Sequence, residues 1–151
     1  MARASEGGYD VFLSFSGNDT RHDFVRLLRD ALVGAKLRVF LDESEIKVGD
    51  EIAKKILQAI DDSKIYIPII SETYPDSKWC LIELAHMMND VSQAESSKRI
   101  FPIFYKLKPA EVEARTPRPQ NPSSEVELRA FKEALAKVGG IKGWKVEELH
   151  R

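Results

Sequence analysis

A chain of 151 residues, 43% apolar and 31% charged, has the size of one domain and the apolar content for a buried core, and its composition suggests neither a disordered chain nor a membrane protein. Its 23 basic and 24 acidic residues leave a net charge of -1, so no global field draws nucleic acid or an anionic bilayer. The one cysteine, Cys80, permits no internal disulfide, residues 1–8 lack the apolar stretch of a signal peptide, and no apolar run approaches the ~18 residues of a membrane span. A reducing compartment, cytoplasmic or nuclear, is expected, with no membrane partner.

In chain order, the apolar run 10–15 predicts a first strand, and Phe24, Leu27, Leu28, Ala31 and Leu32 form the inward stripe of a first helix. A second strand follows over 37–41, then a helix that turns Ile52, Ala53, Ile56, Leu57 and Ile60 inward, then a third strand over 64–70. A third helix carries Leu81, Leu84, Ala85, Met88 and Val91, and a fourth strand spans 99–105. These runs are rich in Val, Ile, Phe and Tyr and too continuous for a one-sided surface, the pattern of strands buried on both faces. Residues 109–122 hold four of the seven prolines and read as an irregular surface loop. Ser124 and Glu127 make a capping box for a last helix that carries Leu128, Phe131, Leu135 and Val138 inward and is stopped by Gly139 and Gly140. Alternation of this kind predicts an α/β domain: a parallel sheet of four to five strands, right-handed crossovers and helices on both faces. The domain is expected over 9–145, with 1–8 a flexible N-terminal segment and 146–151 a tail or the start of a linker.

In open α/β sheets, ligands bind beyond the carboxyl ends of the strands, which selects the loops 15–19, 42–49, 71–77 and 106–109 and brings Ser16, Asp42, Ser71 and Glu83 toward one rim. No glycine-rich dinucleotide fingerprint or phosphate loop follows any strand. His22, His86 and His150 are scattered, and with one cysteine they give no zinc site of recognised spacing, so no metal is expected. A magnesium-dependent phospho-receiver would want acids where Ser16 and Ser71 stand. Hydroxyls and N–H groups over 16–20 could cradle a phosphate at a helix start, although a turn with an Asp19 or Thr20 cap explains the same residues more simply. The sequon at Asn18 is read as chance. Trp79 and Glu83, four residues apart, share a helix face that His86 or Met87 and Asp90 continue. An acid one turn into a helix is ordinarily just a partner for the helix dipole. Its position beside the crevice, next to an indole that can stack on a flat ligand and near Tyr74 as a second wall, gives Glu83 more weight.

The same residues carry a family likeness. Tyr9-Asp-Val-Phe-Leu-Ser-Phe15 followed by Gly17-Asn-Asp-Thr-Arg21, then Ser77-Lys-Trp-Cys-Leu-Ile-Glu-Leu84, then Phe101-Pro-Ile-Phe-Tyr105 with Pro109, resemble the Toll/interleukin-1-receptor (TIR) domains of plant nucleotide-binding leucine-rich-repeat immune receptors. The likeness runs from about residue 9 to 144. It implies a flavodoxin-like domain that self-associates and, once assembled, cleaves NAD or NADP to nicotinamide and signalling nucleotides, with the dinucleotide as substrate and no cofactor. On this resemblance Glu83 is the catalytic acid, and Phe15, Ser16, Gly17, the loop from Asp42 to Gly49 and Trp79 border the substrate; Ser71, Tyr74 and Ser77 of the third-strand loop are added to that border from their place at the rim. Self-association would use His22, Arg26, Leu27 and Arg29 of the first helix together with the last helix; other TIR domains and downstream immune signalling proteins are further partners. Family members usually carry an arginine where this chain has Ser16, so weakened turnover is expected. The other reading of the same likeness is a TIR module that only self-associates, with Glu83 a relic.

Overall fold

In the computed structural model of the chain, residues 8–16, 22–41, 50–119 and 123–146 are described. The expectations for the first seven residues, the Asp19 or Thr20 cap, Gly17, Asp42 and residues 147–151 lie outside the described residues.

Alternation along β1 (Tyr9–Ser14) decides how the layers form. Val11 and Leu13 point to one side, where they meet Val25 of α1 (His22–Gly34) together with Ile67, Ile69 and Ile103. Phe12 points to the other, into a larger cluster with Ile56 and Ile60 of α2 (Asp50–Asp61), Leu81, Leu84 and Met87 of α3 (Lys78–Val91), and Phe131, Leu135 and Val138 of α5 (Glu125–Gly139). Both faces of β1 are therefore apolar and covered, as the unbroken run predicts. Each fully buried Leu or Ile here contributes on the order of 1.5–3 kcal/mol.

The strands β2 (Val39–Leu41), β1, β3 (Ser63–Ile70), β5 (Ile103–Tyr105) and β6 (Trp144–Val146) lie in that order, all parallel. A sixth, β4 (Arg99–Ile100), pairs only with the first half of β3. The predicted strand 99–105 is thus two strands. Pro102 has no N–H to give a ladder, so pairing with β3 stops at Tyr66 and resumes at Ile69. The Pro102 carbonyl instead accepts from Trp144 N at 3.0 Å, which starts β6 at the sheet edge, a three-residue strand with no periodicity to announce it.

Three further expectations are corrected. The loop expected over 109–122 contains α4 (Pro109–Ala114): proline stands at the first helical turn, where no N–H is needed, and Lys108 N donates to Glu111 Oε1 at 2.8 Å. α5 ends at Gly139 with Gly140 as its cap, as expected, but Gly139 does not stop it by conformation, since its φ is not positive. It lies in the helix because a Cβ there would come within 2.6–2.9 Å of Glu113 Cγ, Glu113 N and Pro109 O, so α4 and α5 cross over a bare backbone. Leu27 and Ala31 leave the predicted stripe of α1 and face solvent, and Val25 takes the inward place beside Phe24, Leu28 and Leu32. The capping box of α5 forms as expected: Glu127 N donates to Ser124 Oγ at 3.1 Å and Ser124 N to Glu127 Oε1 at 2.8 Å.

Candidate active site

The chain leaves β1 for β2 on one side and returns to β3 on the other, so strand order reverses between the carboxyl ends of β1 and β3. Ser14 ends β1 with the parity of Phe12 and so points under α3, where it is fully buried. Its hydroxyl donates to Glu83 Oε1 at 2.7 Å and lies 2.7 Å from the Tyr74 hydroxyl. A serine has one proton; having given it to Glu83, Ser14 accepts from Tyr74. Hydrogen bonds thus run one way, from Tyr74 through Ser14 to a carboxylate that is only 2% exposed.

Tyr74 opens a 3-10 turn (Tyr74–Asp76) that leads straight into Ser77, whose side chain caps α3 by accepting from Cys80 N at 3.2 Å. Burial first, and then the charges of Cys80 and Glu83, push the Tyr74 phenol well above its ordinary range, against the smaller opposite pull of its bond to Ser14. It therefore stays protonated and remains a donor. Around this chain, Thr73 Oγ1 donates to buried Ser16 Oγ at 2.9 Å and Cys80 Sγ donates to Phe15 O at 3.3 Å, closing the end of β1 against the turn and the first turn of α3. Ser71 Oγ, at the end of β3, is buried and has no hydrogen-bond partner among the described residues. An unmade bond of this kind costs about 1–3 kcal/mol, a cost tolerated where a ligand completes it.

The model of the TIR domain family matches residues 8–150. This chain belongs to the TIR domain family. Among relatives, Disease resistance protein RPV1 of Vitis rotundifolia is 41% identical over 69% of this chain, and Probable 2' cyclic ADP-D-ribose synthase BdTIR of Brachypodium distachyon is 40% identical over 71% of it. The chain spans 7% of the first protein and 45% of the second. Among solved structures, the TIR domains of the activated Roq1 resistosome recognising the effector XopQ share 32% identity and superpose with a TM-score of 0.75 over 91% of this chain and 87% of that one.

Within this TIR domain, Glu83, Ser16, Ser71 and Tyr74 do gather at one end of β1 and β3. Tyr74 is not the wall of an open cleft, as expected, but a fully buried hydrogen-bond donor. Glu83 likewise lies inside the packed face of α3 with Cys80, Leu84 and Met87, while Ala85, Met88 and Val91 of the predicted stripe are only half-buried. Phe15 and Trp79 are half-buried against the two apolar clusters, and Ser77 serves as the cap. Gly17 and Asp42 lie outside the described residues. On α1, Arg26 is exposed, Leu27 is 70% exposed, Arg29 Nε donates to Asp30 Oδ1 at 2.9 Å, and the His22 side chain is outside the described residues. A groove of about 550 Å3 lined by Thr116, Pro117, Leu128, Lys132 and Ala136 flanks α5 and shares no residue with the Glu83 cluster.

Sequence reasoning missed two features. The Ser14 hydroxyl could have been found from its parity with Phe12 in β1. The second is a cluster of Asp61, His86 and Asp90, whose ligand atoms lie within 4.8 Å of one another, although the spacing of the histidines suggested no such meeting. Asp61 Oδ1 sits 2.8 Å from His86 Nε2, and Asp90 Oδ2 accepts from Tyr66 Oη at 2.9 Å. Lys98 Nζ donates to the carbonyls of Ser63 at 2.7 Å and of Asp61, placing an ammonium beside the carboxylates that end α2. The cluster so carries its own cation in Lys98. Burial and then the hydrogen bond to Asp61 push Asp90 up; burial opposes but does not overcome the bonds from His86 and Asp90 that, with the nearby charges of His86 and Lys98, hold Asp61 down.

A carboxyl raised in the folded state keeps its proton longer than in the unfolded chain. The stability Asp90 contributes is therefore full below the ordinary value of 3.8 and is lost as pH rises through its folded value. Asp90→Asn is expected to gain melting temperature relative to the natural chain as pH rises from about 4 through the folded value of Asp90, because an amide cannot ionise there. A difference that stays flat over that range would contradict this account of the pair.

Proposed function

We propose that this TIR domain, assembled with further copies of itself, cleaves the N-glycosidic bond of NAD or NADP. The observation that carries the reading is a carboxylate, Glu83, held by the Ser14 hydroxyl beyond the carboxyl ends of β1 and β3, where strand order reverses. When the bond between ribose C1' and the nicotinamide nitrogen breaks, its electron pair leaves with the ring, turning a pyridinium into neutral nicotinamide. No general acid is needed, unlike the pair of carboxylates at an ordinary glycoside. Positive charge develops on C1' and its ring oxygen, and one carboxylate suffices to oppose it in the transition state. Water, or a nucleophile of the ADP-ribose itself, then takes C1' and loses its proton, giving linear or cyclic products.

The name of the Brachypodium relative, a probable 2' cyclic ADP-D-ribose synthase, supports the dinucleotide as substrate. The buried hydroxyl of Ser71 supports a ligand rich in hydroxyls. Ser16 in place of the family's arginine supports a lower turnover, because a cation facing phosphate or carboxylate is missing. Glu83 is too buried to meet a dinucleotide as it stands, which supports gating: assembly would open or complete the site. Leu27 on α1 and the groove along α5 are surfaces suited to that assembly, and the likeness to the Roq1 resistosome domains points the same way. Other TIR domains and immune signalling proteins of the cytoplasm or nucleus are the further partners of this reading.

The exposure of Leu27 equally favours a domain that self-associates without chemistry. Nicotinamide release from NAD and NADP, followed across a wide range of protein concentration with and without a crowding agent, separates the two. Release that climbs more steeply than protein concentration is expected. Self-association without release at any concentration would leave only the scaffold.

A further inference from the structure

We infer that Ser14 and Tyr74 are positioning residues that hold Glu83 ionised and aimed, an inference that rests on Glu83 being the reacting carboxylate. A glutamate has three side-chain torsions, and one buried without a fixed donor would sample several of them. Here the torsions are set from outside the helix that carries it. Ser14 is anchored by β1, whose register with β3 pairs it with Pro68, in the middle of the sheet. Tyr74 is anchored by the turn, where its N donates to Ser71 O at 3.1 Å and its O accepts from Ser77 N at 3.1 Å.

Direction matters as much as distance. Tyr74 gives its proton to Ser14, and Ser14 gives its own to Glu83 Oε1, so Oε1 is an acceptor only. A hydroxyl donating to a carboxylate bonds it more strongly than it bonds the neutral acid, which favours the charged form in a setting whose burial disfavours it. Polarisation of Ser14 by Tyr74 strengthens that bond. Among the described residues, Cys80 on the same helix and Tyr74 on the turn are titratable groups of this buried cluster, and β1 presents Ser14 to it. The neighbouring Thr73 holds Ser16, so the turn that fixes Tyr74 also secures the other side of the site.

The test is a carboxyl-carbon NMR titration of Glu83, assigned by its loss in Glu83→Gln, combined with steady-state nicotinamide release. In Ser14→Ala, Glu83 is expected to titrate at higher pH, the acidic limb of the pH–rate profile to move with it, and kcat to fall about 10- to 100-fold while KM changes about 3-fold or less. Tyr74→Phe keeps the ring and should move the same quantities less, and Ser14→Thr, which restores a hydroxyl, should recover most of the loss. If Ser14→Ala does not fold by circular dichroism, the Tyr74→Phe titration decides. A Glu83 titration unmoved in these variants overturns the inference, whether or not activity falls, because a loss without it is merely structural. A titration that moves in a protein releasing no nicotinamide upholds the placement of Glu83 and sinks the NAD reading instead.

Discussion

Glu83→Ala is expected to lower nicotinamide release by at least about 10²- to 10³-fold, the size of effect seen when one preorganised electrostatic group is removed from a transition state. The melting temperature should stay within about 5 °C of the natural chain. The two outcomes have one cause. A carboxylate that is 2% exposed has given up its hydration, and deleting the charge removes that cost together with the chemistry. Ser14 keeps Tyr74 as a partner after the substitution, but one of the two hydroxyl protons loses its acceptor, which offsets part of the relief. Glu83→Gln, nearly isosteric, should lose the same activity and separates lost charge from lost volume. Release at the natural rate from assembled Glu83→Ala protein would sink the catalytic assignment.

Gly143→Ala is expected to cost about 3 kcal/mol, the upper end of what overpacking does to a close contact, or roughly 6–12 °C for a domain of this size. A Cβ at that position would stand 2.2 Å from Pro102 O and 2.9 Å from Pro102 Cγ. The carbonyl cannot yield, because it also accepts from Trp144 N and so begins the pairing of β6 with β5. The strand would have to leave the edge, uncovering Phe101, on which the Trp144 ring stacks at 6.1 Å. Gly34→Ala is the control: nothing lies within 4 Å of a Cβ at this last residue of α1, and alanine there should raise stability by about 0.5–1 kcal/mol. Thermal melts of the three proteins decide. Equal melting of Gly143→Ala and the natural chain would mean that β6 contributes little to the sheet.

Three positions show where sequence reading stops. Gly139 at the end of an amphipathic pattern looks like a helix stop, yet its role is to let the backbone of α4 approach, and the approaching residues are some 25–30 positions away along the chain. Pro109 looks like a loop residue in a proline-rich stretch, yet it opens a helix, because proline is harmful within a helix and harmless at its start. Leu27 looks like core, yet α1 rotates to bury Val25 instead, a choice made by the sheet face it packs on.

The rim was legible for a different reason. Alternation of strands and helices dictates a parallel sheet, a parallel sheet has its loops of interest at one end, and the residues ending each apolar run are then known by number. By itself the sequence determined the α/β class, the strands β1, β2 and β3, the capping box at Ser124 and the nomination of Ser16, Ser71, Tyr74 and Glu83, since each follows from local periodicity or from residues close along the chain. Only the tertiary structure decided that Glu83 is buried rather than lining an open crevice, that Ser14 and Tyr74 hold it, and that Asp61, His86 and Asp90 meet. Those facts depend on how α3 is turned against β1 and α2, and that rotation is set by packing between elements dozens of residues apart, which no periodicity within one element encodes.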